Sequence, residues 1–430
     1  MAQSLESCWA VRLAALGVLL ELTVSANLLT WAGVPYVTDG GSLAAKLHPG
    51  TDVLFLAFGV QMLQRGGWTL LLGDRLPMIF LAGMAACLVY LLVLTGTGNL
   101  IVLLDTFLPA GMFVVVMRRA TPGQIARLRR TMQILLGLSA ILALVETAAR
   151  STLIPLYLND AAYHPHVEDF RPTALFDHPL TGGVMAMLGL ALCPARGLAR
   201  LAYGGLMWAA LIAFGGRMAL AASVLASLSL MVAQLAPRLL RRDPRARLAF
   251  LTGLALPILS VLLLLAIMWA GFGERLAGHL YWDDSAQVRL AQWQLLDELD
   301  AWQLAFGVPR DQLLALLTPL RLGPGVEVIE NFWLLMFVSM GAAGFPLFAG
   351  SVLALLVRVW RSTALAGRLL LLGVMLVAST SNSLGRKSTI LVCLMAAIAC
   401  LPAGKGVRTA VISHTRFRIP KDAAPEARPA

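Results

Sequence analysis

The chain has 430 residues, 59% of them hydrophobic and only 13% charged, and its mean hydropathy is +0.78. That apolar surplus exceeds what a soluble core can bury, so a soluble globular class is excluded and the chain reads as an all-α polytopic integral membrane protein. The net charge of +11 does not argue for nucleic acid, because in such a chain Lys and Arg report orientation first.

A helix needs about 20 apolar residues to cross the hydrocarbon layer. Sliding along the chain predicts twelve spans, near 10–31, 51–64, 76–96, 98–117, 131–149, 180–195, 201–216, 218–236, 248–272, 331–357, 369–384 and 388–403. The second, sixth, seventh and last two are shorter than a clean span. With the N-terminus inside, 24 of the 34 Lys and Arg fall on the cytoplasmic side, so both termini are expected there. The first span is read as an uncleaved anchor, because Asn27 to Trp31 carry the apolar run past a signal-peptide-like Val24-Ser25-Ala26. The five cysteines, Cys8, Cys87, Cys193, Cys393 and Cys400, have no metal-ligand spacing, and neither a disulfide nor a zinc site is expected.

The spans and their connections, 1–403, form a single transmembrane domain on this reading. Two long loops are expected outside, 150–179 and 273–330, the second carrying nine acidic and four basic residues. In the second, Leu290, Trp293, Leu296, Leu299 and Trp302 recur at three-residue steps after Asp283-Asp284-Ser285, which predicts one amphipathic surface helix closed by Gly307. A shorter helix is expected from Asp311 to Leu320, before the Gly323-Pro324-Gly325 turn. The tail 404–430, rich in Pro, Ala and charge, is expected to be disordered.

Ten basic residues remain outside. Arg171, Arg217, Arg289, Arg310 and Arg321 stand out, because guanidinium grips phosphate through two parallel hydrogen bonds and stays charged at an interface. Arg217, in Phe214-Gly215-Gly216-Arg217, joins two apolar helices with almost no loop; anchoring to headgroups explains it about as well. Asp177 and His178 lead into one span and Glu330 into another, where a carboxylate or imidazole could take a proton from a sugar hydroxyl. Helix capping is the plainer role for Asp177, and a first-turn acid for Glu330. Glu21, Asp105 and Glu146 lie inside spans, where charge is costly, and sequence offers none of them a partner; a proton-coupled transporter would carry such acids too. Phosphate-binding loops, zincin and nucleophile-elbow motifs and Asp-x-Asp are absent.

Arg171 to His178-Pro179 entering one span, the Gly216-Arg217 junction, an outside loop with Arg289-Leu290-x-x-Trp293, then Gly307, then Glu330-Asn331 entering a span with Gly341 and Gly344: this order resembles the bacterial O-antigen ligase and polymerase superfamily over residues 171–344. Within it the chain is most similar to exopolysaccharide repeat-unit polymerases of the xanthan type. The resemblance implies a GT-C-like ligase fold in the bacterial inner membrane and a metal-independent, inverting glycosyltransferase with no cofactor. It would use an undecaprenyl-diphosphate-linked oligosaccharide on the periplasmic side, among membrane lipid and beside the flippase and chain-length or export proteins of a polysaccharide pathway. Arg217 and Arg289 fall on the pyrophosphate-holding positions, and Glu330 falls where ligases have a histidine, a departure that leans toward polymerase. Arg171, His178, Trp293, Arg310, Arg321 and Asn331 would contribute to substrate binding. Two alternatives stay open: ligase-like transfer to another acceptor, and a lipid-linked-glycan flippase or transporter.

Overall fold

The computed structural model describes residues 2–37, 42–94, 100–158, 161–163, 170–194, 197–240, 291–317 and 329–402. The expected span at 248–272, Arg289, Arg321 and the tail 404–430 lie outside the described residues. Those described are mostly helical: α1 (Ala2–Thr23), α2 (Ala26–Trp31), α3 (Pro49–Leu63), α4 (Gly67–Leu72), α5 (Arg75–Leu94), α6 (Leu100–Met117), α7 (Pro122–Ala149), α8 (Pro179–Ala191), α9 (Leu198–Ala213), α10 (Arg217–Leu240), α11 (Ala301–Phe306), α12 (Arg310–Leu317), α13 (Phe332–Ser362), α14 (Leu365–Ser379) and α15 (Ile390–Ala399). Five of them, α5, α6, α7, α10 and α13, are long and apolar enough to cross a membrane, and five shorter apolar helices accompany them. The protein is therefore a helical, membrane-embedded one.

Two expectations are corrected. The first span is not one helix: α1 ends at Thr23 and α2 restarts at Ala26, with the Ser25 side chain accepting the Leu28 N–H as its N-cap. Within the segment 150–179, Leu156–Leu158 and Ala161–Tyr163 pair as a short antiparallel hairpin. The amphipathic helix before Gly307 is broken. Gln292–Asp297 is a 3₁₀ turn, and Asp300 starts a separate helix, α11, through a reciprocal capping box with Gln303. A carboxylate that takes its own downstream N–H groups offers the backbone a helix start, and here that outweighs the three-residue apolar repeat.

Glycine decides where helices touch. On α1 and α3, Gly17 and Gly50 face each other so closely that a Cβ on either would lie within 3 Å of the other's carbonyl oxygen. That contact seats Glu21, one turn on from Gly17, against the start of α3. Gly307 ends α11 at φ +92, and Gly341 breaks α13 at φ +62; a Cβ on Gly341 would meet the Ala305 backbone at 2.5 Å. The Val308 N–H donates to the Val338 carbonyl at 2.8 Å. Gly344 lies under the Tyr90 ring, whose hydroxyl donates to the Phe306 and Met340 carbonyls at 3.1 and 2.9 Å. These glycines are explained by the docking of α11 onto the α13 break.

Candidate functional site

Several of the segments singled out from sequence contact one another. Arg171 sends Nε and an η nitrogen to the Phe214 carbonyl at 3.0 and 2.8 Å, next to Gly215 at φ +66 and two residues before the Gly216-Arg217 junction. Arg217 opens α10 and is exposed. The Asn27 amide donates to the Asp177 carbonyl at 3.1 Å, and its oxygen accepts the Tyr157 N–H at 3.3 Å, tying α2 to the hairpin and to the segment entering α8. At the start of α13, the Phe332 N–H donates to the Ser381 carbonyl at 3.2 Å, in the connector that also carries Arg386 and Lys387.

The Arg171 segment is held by Glu146, a buried acid near the end of α7. Its Oε2 accepts the N–H groups of Thr173 and Ala174, and its Oε1 that of Leu153, each at 2.8 Å. Ala174 is buried at φ +51, a backbone region an alanine rarely adopts, and the Glu146 bond helps retain it. Three backbone donors satisfy this carboxylate where water cannot.

A second group of buried acids is arranged differently. Residues Leu103–Phe107 of α6 form one π-helical turn, a feature frequent at functional sites, and it places Asp105 and Thr106 side by side in the interior. The Asp105 carboxylate accepts the His48 backbone N–H at 2.8 Å and the Tyr36 hydroxyl at 2.5 Å. Glu21 accepts the Thr51 hydroxyl at 3.1 Å and stands 3.4 Å from His48 Nδ1, a nitrogen that accepts the Gly50 N–H in the neutral ring and donates to Glu21 when protonated. His48 Nε2 donates to the Val24 carbonyl, exposed by the break after α1, at 2.6 Å. Burial pulls the His48 imidazole down, but the Glu21 carboxylate outweighs it, with smaller help from Val24 and Asp105, and carries it up to about 9. Burial and then the Asp105 charge raise Tyr36, which keeps its proton. Lys387 Nζ donates to the Tyr36 carbonyl and, at 3.0 Å, to that of Lys46, and lies 4.2 Å from the Tyr36 ring centre. The Thr106 hydroxyl donates to the Arg386 carbonyl and accepts the Ser388 N–H, both at 3.0 Å.

Between these two groups lies a narrow cleft lined by Glu21, Tyr36, His48, Asp177, Lys387 and apolar or hydroxyl neighbours that include Ser25, Phe176 and Thr389. The N-cap of α8 is His178, not Asp177: His178 Nδ1 accepts the Leu180 N–H at 3.1 Å. Desolvation, then the Arg171 and Arg386 charges, hold His178 below the usual imidazole range. Burial lifts Asp177 above the ordinary carboxylate range, opposed by the Thr181 hydroxyl and the Arg386 charge.

Among the remaining residues singled out from sequence, Glu330 is half-buried and its N–H donates to the buried Gln292 side chain at 2.9 Å. Asn331 is the N-cap of α13, accepting the N–H groups of Trp333 and Leu334 at 2.9 and 3.2 Å. Trp293 is exposed on the 3₁₀ turn, and Arg310 is the first residue of α12. Neither Glu330 nor Asn331 lines the cleft. Sequence reasoning missed Tyr36, His48, Arg386 and Lys387. For the last two the signal was present, as an Arg-Lys pair in a short connector expected outside. No three His, Cys, Asp or Glu side chains among the described residues are grouped to hold a metal ion. No family model matches the chain, and no curated protein matches it.

Proposed function

We propose that the protein polymerises exopolysaccharide repeat units in the bacterial inner membrane, transferring glycan from an undecaprenyl-diphosphate-linked donor to a lipid-linked acceptor unit on the periplasmic side. In this proposal twelve spans place both termini in the cytoplasm and the segments 150–179 and 273–330 outside. One observation carries the reading. Arg171 is seated on the Gly215-Gly216-Arg217 junction, and the Asp177, Arg386 and Lys387 segments border a cleft of a membrane-embedded bundle.

The chemistry asks for little more. A lipid diphosphate is its own leaving group, so the enzyme needs cations to stabilise the charge that develops on it and a geometry that holds the acceptor hydroxyl in line. Arg217 and Arg289 are assigned to the diphosphate, with Arg171, Arg310 and Arg321 near it; His178, Trp293 and Asn331 complete the binding assignment, and a carboxylate accepts the proton. A ligase would differ in its acceptor alone.

The buried Glu21, His48 and Asp105 favour a second reading, a proton-coupled flippase or transporter, because ionisable groups at membrane depth commonly mark proton paths. One experiment separates the two. Purified protein in vesicles receives undecaprenyl-diphosphate-linked repeat units without nucleotide or metal. Longer lipid-linked chains are expected from wild type, and Arg171→Ala and Arg217→Ala are expected to abolish them. Movement of intact repeat units across the bilayer without lengthening would overturn the polymerase and support the transporter.

A further inference from the structure

We propose that Asp177 is the general base of the transfer reaction, taking the proton of the acceptor hydroxyl inside the cleft bounded by Glu21, Tyr36, His48 and Lys387. This rests on the polymerase reading. It assigns the proton transfer to a residue whose plainer role, capping α8, is already filled by His178.

The other groups at the cleft are already engaged. Lys387 donates to two carbonyls. The Tyr36 hydroxyl is spent on Asp105. Glu21 is engaged by Thr51 and His48, and His48 has both ring nitrogens in use, one on Val24 and one facing Gly50 and Glu21. His178 stands beside the cleft with Nδ1 occupied by the Leu180 N–H, and its low basicity suits it poorly to accept a proton. Asp177 remains. Its carboxylate is held by the Thr181 hydroxyl and the N–H groups of Asp177 itself and of His178, all local, and the residue lines the cleft. A carboxylate has about four lone-pair sites, so these three bonds leave one for an acceptor hydroxyl.

Its surroundings suit the role. Arg386, and through His178 also Arg171, bring positive charge to the segment, while Glu21 lies across the cleft with His48 and Lys387. Desolvation makes the carboxylate a stronger base than one in water, and general-base efficiency rises as the pKa approaches the working pH. In the step itself the acceptor oxygen forms a bond to the donor's anomeric carbon. The bond from that carbon to the bridging phosphate oxygen breaks, its electron pair leaves with the diphosphate, and the acceptor's proton passes to Asp177.

The test uses full-length protein in vesicles with undecaprenyl-diphosphate-linked repeat units, and reads the initial rate of lengthening and its pH profile. Wild type should lose activity as pH falls through the Asp177 pKa, above the usual carboxylate value. Asp177→Asn should slow the reaction by roughly 100-fold or more and abolish that acid limb. Asp177→Glu should keep measurable activity with a displaced limb, and its profile decides the matter should Asp177→Asn fail to fold. Wild-type lengthening combined with an Asp177→Asn variant that keeps rate and limb overturns this inference alone. Loss of the limb in Glu330→Gln but not in Asp177→Asn does the same. Absence of lengthening by wild type overturns the polymerase reading, and this one with it.

Discussion

Glu146 and Glu21 are two acids inside apolar helices, equally buried, yet the protein uses them in opposite ways. Glu146 is surrounded by backbone: three N–H groups close on its two oxygens and fasten the segment that carries Arg171. Glu21 is surrounded by side chains that themselves titrate or donate, His48 and Thr51, with Asp105 and Tyr36 behind them and a cleft alongside. Burial costs both about the same, so burial alone does not tell architecture from chemistry. The partners do. A carboxylate closed on by backbone donors fastens a segment in place, whereas one facing an imidazole has a partner that itself titrates.

Breaking the first arrangement should have the largest effect. Glu146→Ala strands the two buried N–H groups of Thr173 and Ala174 at about 1–3 kcal/mol each and the part-buried one of Leu153, so thermal unfolding in detergent should show the greatest loss of stability of the variants named here. The Arg171 segment should also be released, with loss of chain lengthening. A melting temperature near that of wild type would mean that the segment is held by something else. The amide variants sharpen the contrast. Glu146→Gln puts an N–H where an acceptor is required and should cost on the order of 2 kcal/mol. Glu21→Gln keeps an oxygen for Thr51 and should cost less, and the reverse order would erase the distinction between the two sites.

The smallest effect is one of pH. The folded His48 imidazole titrates near 9, against an ordinary value of 6.5. A raised histidine contributes stability that is complete below about pH 6.5 and is lost as the pH rises through about 9. The melting temperature of wild type should therefore decline across that window, and His48→Gln should flatten the decline. An unchanged slope in that variant would show that His48 carries no proton that matters to folding.

Much of the helical framework was legible in advance. The apolar runs at 76–96, 98–117, 131–149 and 218–236 correspond to α5, α6, α7 and α10, and the helix ending at Gly307 ends there, because hydropathy and left-handed glycine are local properties. Arg171, Arg217 and His178 were picked out as candidates, but the seat of Arg171 on the Phe214 carbonyl was not readable. Neither was the capping of α8 by His178 rather than Asp177, since both residue types cap helices and only the backbone angles decide which one does. The apolar repeat at 290–302 misled, because Asp300 captured the backbone and started a new helix. His48 and Lys387 went unnoticed for a different reason. Their partners stand 57 and 351 residues away, in connectors with no periodicity to mark them.

The sequence by itself determined that this is a helical membrane protein and where most of its helices run, because the free energy of placing a segment in lipid sums over neighbouring residues. The tertiary structure alone decided what each buried acid does. Two carboxylates in similar apolar helices differ in the neighbours that meet them, loop N–H groups at Glu146 and the start of α3 at Glu21. Those are set by close contacts such as Gly17 on Gly50 and by the breaks at Val24 and in the π-helical turn at Leu103–Phe107.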